Sequence, residues 1–130
     1  MNEYILAVRN LAGEVLGLIA EGMGMESRDE LSRLVMSDES DIMFRLNHYP
    51  PCPLPQQVQE PKDCGLTGFG EHTDPQVISI LSSNNSQGFQ IAVKDGGWVS
   101  VPPDSDSFFI NAGDILQVNF VLCLLYWILD

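Results

Sequence analysis

A histidine and a carboxylate two positions apart, His72 and Asp74, are the residues best suited to chemistry in this chain of 130 residues. In an extended segment, side chains at i and i+2 point to the same side, so this spacing places an imidazole beside a carboxylate. Both groups are common ligands of divalent first-row metals, and the pair therefore indicates a metal site. The alternative is a hydrogen-bonded surface histidine near a turn, with Asp74 capping the segment from Pro75 onward.

The segment Ile42–Tyr49 is predicted to be a strand with one side on a core and the other lining a polar cavity. One face is apolar apart from its histidine, and the other carries a cation, an amide and a phenol. We expect Arg45 to meet an anionic group in the cavity or to form a structural salt bridge. We expect His48 to be packed or at the surface, since it lies on the face opposite the polar one. The polar face holds Arg45, Asn47 and Tyr49, and the other Phe44, Leu46 and His48.

Three groups of residues follow one another in a definite order. They are Asn47-x-Tyr49-Pro50, the run from Gly68 to Leu81 with both candidate ligands, and the run from Trp98 to Pro103. This ordered set resembles the plant soluble 2-oxoglutarate/Fe(II) dioxygenases, and most closely the gibberellin 2-oxidases. The resemblance covers nearly everything from Met1 to about Val118.

The resemblance implies that His72 and Asp74 are two ligands of Fe(II). Two histidines and one carboxylate form the facial triad of non-haem Fe(II) oxygenases. It also implies that Tyr49, with Asn47, binds the cosubstrate 2-oxoglutarate, and that ascorbate serves as reductant. The implied reaction is the 2-oxoglutarate- and O₂-dependent 2β-hydroxylation of gibberellins, small carboxylated diterpenoids, which inactivates them.

Two features of the family pattern are not found in this chain. Aligned by its neighbours, the second histidine ligand would fall close to Leu129. The Arg-x-Ser pair that grips the far carboxylate of 2-oxoglutarate through a bidentate guanidinium would lie beyond Asp130. We therefore expect weak iron binding and little or no turnover by this chain.

The composition limits the classes of partner. Eighteen acidic against six basic residues give a formal charge of −12, which argues against binding to a phosphate backbone. Three cysteines without zinc spacing fit the reduced thiols of a cytoplasmic protein. The N-terminus does not have the pattern of a signal peptide, and the apolar run Phe120–Leu129 is too short to span a bilayer. We expect a small-molecule substrate, no nucleic acid or membrane partner, and a monomer.

The chain is predicted to have three parts: a helical segment 1–38, a partial dioxygenase domain 39–118 and a divergent apolar tail 119–130. Apolar residues at helical spacing predict a helix from Asn2 to Gly22, which the sequence Gly22-Met23-Gly24 ends. A second helix is predicted from Ser27, which forms a capping box with Glu30. The apolar positions of the two helices are Ile5, Val8, Ala12, Val15, Leu16 and Ile19, then Leu31, Leu34 and Val35.

Short extended runs separated by turn residues predict strands in the second part. The predicted fold class is mainly β with N-terminal helices, around an incomplete jelly-roll (double-stranded β-helix) core. Asp95-Gly96-Gly97 indicates a hairpin, and the segment Pro50–Gly65 indicates a long loop. The runs are Ile42–Tyr49, Gln76–Ser82, Phe89–Lys94, Trp98–Val101, Phe108–Ile110 and Ile115–Val118.

The tail from Asn119 to Asp130 follows neither pattern, and its neutral interpretation is a buried strand. Because the family resemblance stops at Val118, we interpret the tail as a foreign ending. By the same resemblance, we also interpret the N-terminal region as shorter than in family members. Open sheet edges would make the chain marginally stable and aggregation-prone when expressed alone. Two other functions stay open: a plant dioxygenase acting on a flavonoid or other small molecule, and a non-catalytic fragment that binds a full-length homologue through its sheet edge.

Overall fold

The computed structural model of the protein describes residues 1–50 and 67–118. The predictions for the loop after Pro50 and for the apolar tail from Asn119 lie outside these residues. The same holds for Leu129 and for all three cysteines.

Both predicted helices are present, α1 over Asn2–Gly22 and α2 over Glu30–Met36. The helix α1 ends as the glycines predict, because Gly24 has a positive φ of 69°, which favours glycine. The N–H of Gly24 donates to the Glu21 carbonyl, and that of Met25 to the Ala20 carbonyl, both at 3.0 Å. This pair of bonds satisfies carbonyls at the helix end and is the Schellman motif.

The start of α2 differs from the prediction by three residues. Half of the expected capping box forms, since the Ser27 N–H donates to Glu30 Oε1 at 3.1 Å. The Ser27 hydroxyl, however, accepts from the Asp29 N–H at 3.3 Å, within a turn at residues 28–29. The helix therefore begins only at Glu30, with Asp29 as its N-cap residue.

An arginine on the connection between the helices explains a glycine inside α1. A Cβ atom added at Gly17 would lie 2.7 Å from Arg28 Nε, so the guanidinium lies directly over this glycine. Arg28 pairs there with Glu14 at 3.0 Å and with Glu21 at 3.4 Å. A glycine at position 17 therefore lowers the intrinsic stability of the helix, but it leaves room for the Arg28 guanidinium between two carboxylates on the same helix face.

The core is small and lies where the helix pair meets the start of the strand region. Leu16 is completely buried, as the helical spacing predicts. Around it, half-buried apolar side chains come from both helices and from the residues at the start of the first strand. Among the described residues, the buried members of this apolar cluster are Leu16, Ala20, Leu31 and Leu116, and the surrounding ones are Ile19, Met23, Met25, Val35, Val77 and Ile78.

Beyond residue 77 the regular structure is chiefly β, as predicted. The strands are β1 over Ile78–Leu81, β2 over Gln90–Ala92, β3 over Trp98–Ser100 and β4 over Phe109–Ala112. They form two antiparallel pairs, β1 with β4 and β2 with β3. The predicted hairpin joins β2 to β3, where Gly96 has a φ of 84° and the Gly97 N–H donates to Asp95 Oδ1 at 3.1 Å.

Two predicted strands are wrong. Residues 42–49 have no strand structure and every one of them is exposed, including Leu46 at 75%. A strand requires a neighbour for its backbone groups, and no described residue pairs with this segment. The expected burial of its apolar face therefore does not occur.

Residues 114–118, the last described, are helical and not extended. The Gln117 N–H donates to the Gly113 carbonyl at 3.1 Å, which closes a helical turn after β4. This turn buries Leu116 in the core, whereas Ile115 and Val118 are 50% and 57% exposed. The hydrogen bond of this turn and the burial of Leu116 thus favour a helix over the predicted strand.

Within the described ranges, no helix has both the length and the apolar character to cross a membrane.

Candidate metal centre

His72 and Asp74 lie in an irregular segment that leads into β1. Although the segment is not a strand, the two side chains converge: His72 Nε2 and Asp74 Oδ1 are 3.5 Å apart. The imidazole is half exposed, and the carboxylate is 21% exposed. The spacing i, i+2 therefore brings the two groups together, as the sequence predicts, at a site open on the histidine side.

The imidazole of His72 is oriented by a backbone contact of Nδ1, the ring nitrogen that does not face Asp74. Nδ1 lies 2.8 Å from the carbonyl oxygen of Gly70. A carbonyl can only accept, so Nδ1 carries the proton, and in the neutral ring Nε2 presents its lone pair towards Asp74. The ring of Phe69 packs edge-on against the imidazole, with 4.5 Å between the ring centres, and restricts its tilt.

The carboxylate of Asp74 is oriented from its far side. Its Oδ2 accepts a hydrogen bond of 3.1 Å from the Asn111 side-chain amide on β4. This contact leaves Oδ1 directed at His72. Each of the two side chains thus has one atom held by the protein and one facing the other side chain.

The backbone of the ligand segment is held by the turn that follows β4. The Asp114 N–H donates to the Asp74 carbonyl at 2.8 Å, and the Gly113 N–H to the Val77 carbonyl at 2.9 Å. The hydroxyl of Thr73 donates to Asp114 Oδ2 at 2.8 Å. Gly113 is buried, and a Cβ atom there would collide with the carbonyl of Gln76. Close packing of two backbone segments therefore fixes the position of Asp74 and of Thr73, the neighbour of His72.

The residues present fit Fe(II) as a two-donor site. In the neutral imidazole, two lone pairs face each other across 3.5 Å, an arrangement that a cation between them would satisfy. A ligand histidine typically donates its other N–H to a carbonyl, and ligand carboxylates are themselves hydrogen-bonded, as here. Within residues 1–50 and 67–118, no group of three or more potential ligands is found, so His48 does not complete a triad.

Tyr49 and Asn47, the candidate 2-oxoglutarate residues, lie in the exposed segment before the undescribed loop. The Tyr49 ring packs so closely against Gly68 that a Cβ atom added to this glycine would lie 2.6 Å from Tyr49 Cδ1. Tyr49 is thereby brought next to the segment that carries His72. Asn47 is exposed, and Arg45, also exposed, donates to the Met43 sulfur at 3.7 Å and pairs with no carboxylate of the described residues.

Three residues that hold the pair in place were not predicted from the sequence: Asn111, Gly113 and Asp114. A signal for Asn111 exists, since it is a polar residue two positions after Phe109, on the half-buried side of β4. The contacts of Gly113 and Asp114 join residues about forty positions apart, and no local pattern predicts them.

Comparison with known proteins identifies relatives of this chain. Over 118 residues, or 91% of its length, the chain is 57% identical to gibberellin 2-beta-dioxygenase of Phaseolus coccineus. Over the same length it is 55% identical to gibberellin 2-beta-dioxygenase 1 of Pisum sativum and 51% identical to gibberellin 2-beta-dioxygenase 1 of Arabidopsis thaliana. These alignments cover 34%, 35% and 36% of the relatives, so the chain spans about a third of the length of the curated relatives it matches.

Residues 40–120 match the 2OG-Fe(II) oxygenase superfamily, and this region contains the histidine–aspartate pair and the groups that orient it. The resemblance seen in the ordered motifs is thereby confirmed. The chain belongs to the 2OG-Fe(II) oxygenase superfamily.

Proposed function

We propose that this chain carries part of the iron and 2-oxoglutarate site of an enzyme that 2β-hydroxylates gibberellins. The observation that carries the proposal is the pair of facing donor atoms, His72 Nε2 and Asp74 Oδ1, 3.5 Å apart and each oriented from behind. The substrate class is supported by the names of the three relatives compared above, each a gibberellin 2-beta-dioxygenase.

Each residue has a separate task in this proposal. His72 and Asp74 hold Fe(II) through Nε2 and Oδ1. Bound iron supplies the activation of O₂, with 2-oxoglutarate as the electron-donating cosubstrate and ascorbate as the reductant that maintains Fe(II). Tyr49, with Asn47, binds 2-oxoglutarate beside this pair. The packing of the Tyr49 ring on Gly68, four positions before His72, supports this placement.

The antiparallel pairs β1–β4 and β2–β3 are proposed to be parts of a jelly-roll core. The membership in the superfamily and the position of the ligands just before β1 support this fold. In the same proposal the protein is a cytoplasmic monomer that acts on a small molecule.

For this chain alone we expect weak metal binding and low turnover. Residues 1–50 and 67–118 bring two protein donors together, without His48, and two donors hold an ion less firmly than three. Formation of succinate from 2-oxoglutarate, with Fe(II), ascorbate and a gibberellin, should be slow. Rapid turnover that His72→Ala abolishes would contradict this expectation.

Binding of 2-oxoglutarate tests the site independently of turnover. Saturation-transfer NMR would measure its binding to the purified chain with and without Zn(II), a diamagnetic substitute that imidazole ligands accept. We expect a signal that requires the metal and disappears in His72→Ala. An equal signal in both proteins would contradict the proposed site. His48→Ala is the matched control, because it removes the other histidine of the chain.

A further inference from the structure

Asp74 receives a hydrogen bond that the histidine–aspartate spacing does not require. The Asn111 amide donates to Oδ2 at 3.1 Å, across thirty-seven positions of sequence, and this contact is partly buried. The other oxygen, Oδ1, faces His72 Nε2. The two carboxylate oxygens thus have different surroundings, one fixed by an amide and one directed at the candidate metal position.

The amide of Asn111 is itself held by regular structure. Asn111 lies opposite Ser79 in the antiparallel pair of β1 and β4. On the same face of β4, Phe109 packs edge-on against Phe89, with 4.9 Å between the ring centres. A side chain on a paired strand with a packed neighbour has little freedom to move, so Asn111 is a firm support for a carboxylate on an irregular segment.

We propose that Asn111 is a positioning residue that fixes the rotamer of Asp74 for metal binding. This inference rests on the proposed function, since it assumes that the pair binds a metal. Without the amide, the carboxylate rotates about its side-chain bonds, and part of the binding free energy is spent on ordering it. Groups that orient metal ligands in this way typically contribute about 10-fold or more to metal affinity.

Two substitutions separate positioning from the filling of space. Asn111→Ala removes the hydrogen-bond donor and most of the side chain. Asn111→Leu removes the donor but keeps a side chain of similar size. If the amide orients Asp74, both variants lose affinity equally; if it fills space, Asn111→Leu retains the affinity of the unchanged protein. The second variant also preserves the test should the first fail to fold.

The experiment is a titration of the purified chain with Mn(II), followed by the electron paramagnetic resonance signal of the unbound ion. We expect the dissociation constant to rise roughly 10-fold in both Asn111 variants, with an unfolding midpoint close to that of the unchanged protein. Ser79→Ala, which changes the residue opposite Asn111, should leave the constant unaltered. An Asn111→Leu constant within about twofold of the unchanged one would overturn the proposal.

His72→Ala distinguishes the failure of this inference from that of the proposed function. Loss of Mn(II) binding in His72→Ala together with unaltered binding in both Asn111 variants contradicts the positioning role alone. Binding that His72→Ala does not reduce shows that the ion lies elsewhere and contradicts the proposed site itself.

Discussion

At the scale of single residues, the two candidate ligands are restrained from opposite sides. The Gly70 carbonyl fixes the His72 ring, and the Asn111 amide fixes the Asp74 carboxylate. Restraint before binding reduces the entropy lost when a ligand is captured. In the proposed site, the two protein donors that the described residues bring together are therefore oriented before an ion binds.

Gly68 should influence 2-oxoglutarate binding through Tyr49. A methyl group at Gly68 would lie 2.6 Å from the Tyr49 ring and displace it. Because the ring is 54% exposed, it can move at little cost in stability. We expect Gly68→Ala to weaken 2-oxoglutarate binding by about 1 kcal/mol, the value of one hydrogen bond, or roughly fivefold.

The measurement is the NMR binding assay with Zn(II), combined with thermal unfolding. Gly22→Ala is the control, since a Cβ atom there meets no atom within 4 Å and Gly22 lies outside the proposed site. If Gly68→Ala binds 2-oxoglutarate as well as the control and the unchanged chain do, the proposed role of Tyr49 in binding the cosubstrate is contradicted.

At the scale of elements, the segment that carries His72 and Asp74 packs against the turn after β4. This contact should be most sensitive to substitution at Gly113. Its Cβ would collide with the Gln76 backbone, which cannot move aside as a flexible side chain can. We expect Gly113→Ala to lower the free energy of unfolding by about 1–3 kcal/mol and to weaken Mn(II) binding. Urea denaturation checks the first effect, with Gly22→Ala as the control at an open position. Unchanged stability in Gly113→Ala would show that the two segments are not closely packed.

The helix pair depends on one leucine. Leu16 is completely buried, whereas Leu18 on the same helix is 59% exposed. We expect Leu16→Ala to cost about 2–5 kcal/mol of unfolding free energy, a large part of the stability of a small domain. Far-UV circular dichroism in urea measures the loss. The control Leu18→Ala should change stability by less than about 0.5 kcal/mol, and equal losses in the two variants would contradict the helix packing.

The sequence predicts elements well where the signal is local. The helix α1 follows from apolar spacing and ends at glycine, and the β2–β3 hairpin follows from Asp95-Gly96-Gly97. Predictions fail where distant contacts decide, as at Ile42–Tyr49, which lacks a strand neighbour among the described residues. The same reason explains the site: the pair is visible as a motif, whereas Asn111 reaches Asp74 only through the pairing of β4 with β1.

At the scale of the whole molecule, an exposed apolar segment favours self-association, and the net negative charge opposes it. Four large apolar side chains within five positions, Ile42, Met43, Phe44 and Leu46, are between 45% and 75% exposed. The charge of −12 keeps copies of the chain apart, but salt screens this repulsion. We therefore expect self-association that increases with sodium chloride concentration.

Size-exclusion chromatography with light scattering would measure this association. The double variant Met43→Ser with Leu46→Ser should remain monomeric at salt concentrations where the unchanged chain associates. Leu6→Ser with Leu18→Ser removes two exposed leucines from α1 and serves as the control. If the control is as effective as the first pair, the association does not depend on the segment 42–46. Addition of a full-length relative in the same experiment tests the alternative function of a non-catalytic binding fragment.

We propose above that His72 and Asp74 together bind a ferrous ion, as the two ligands that the described residues bring together. Anaerobic titration of the purified chain with Fe(II), with His72→Ala and Asp74→Ala in parallel, measures this binding. We expect weak binding by the unchanged chain, lost in both variants. One equivalent of iron that stays bound through gel filtration, or binding that neither substitution reduces, would contradict this proposal.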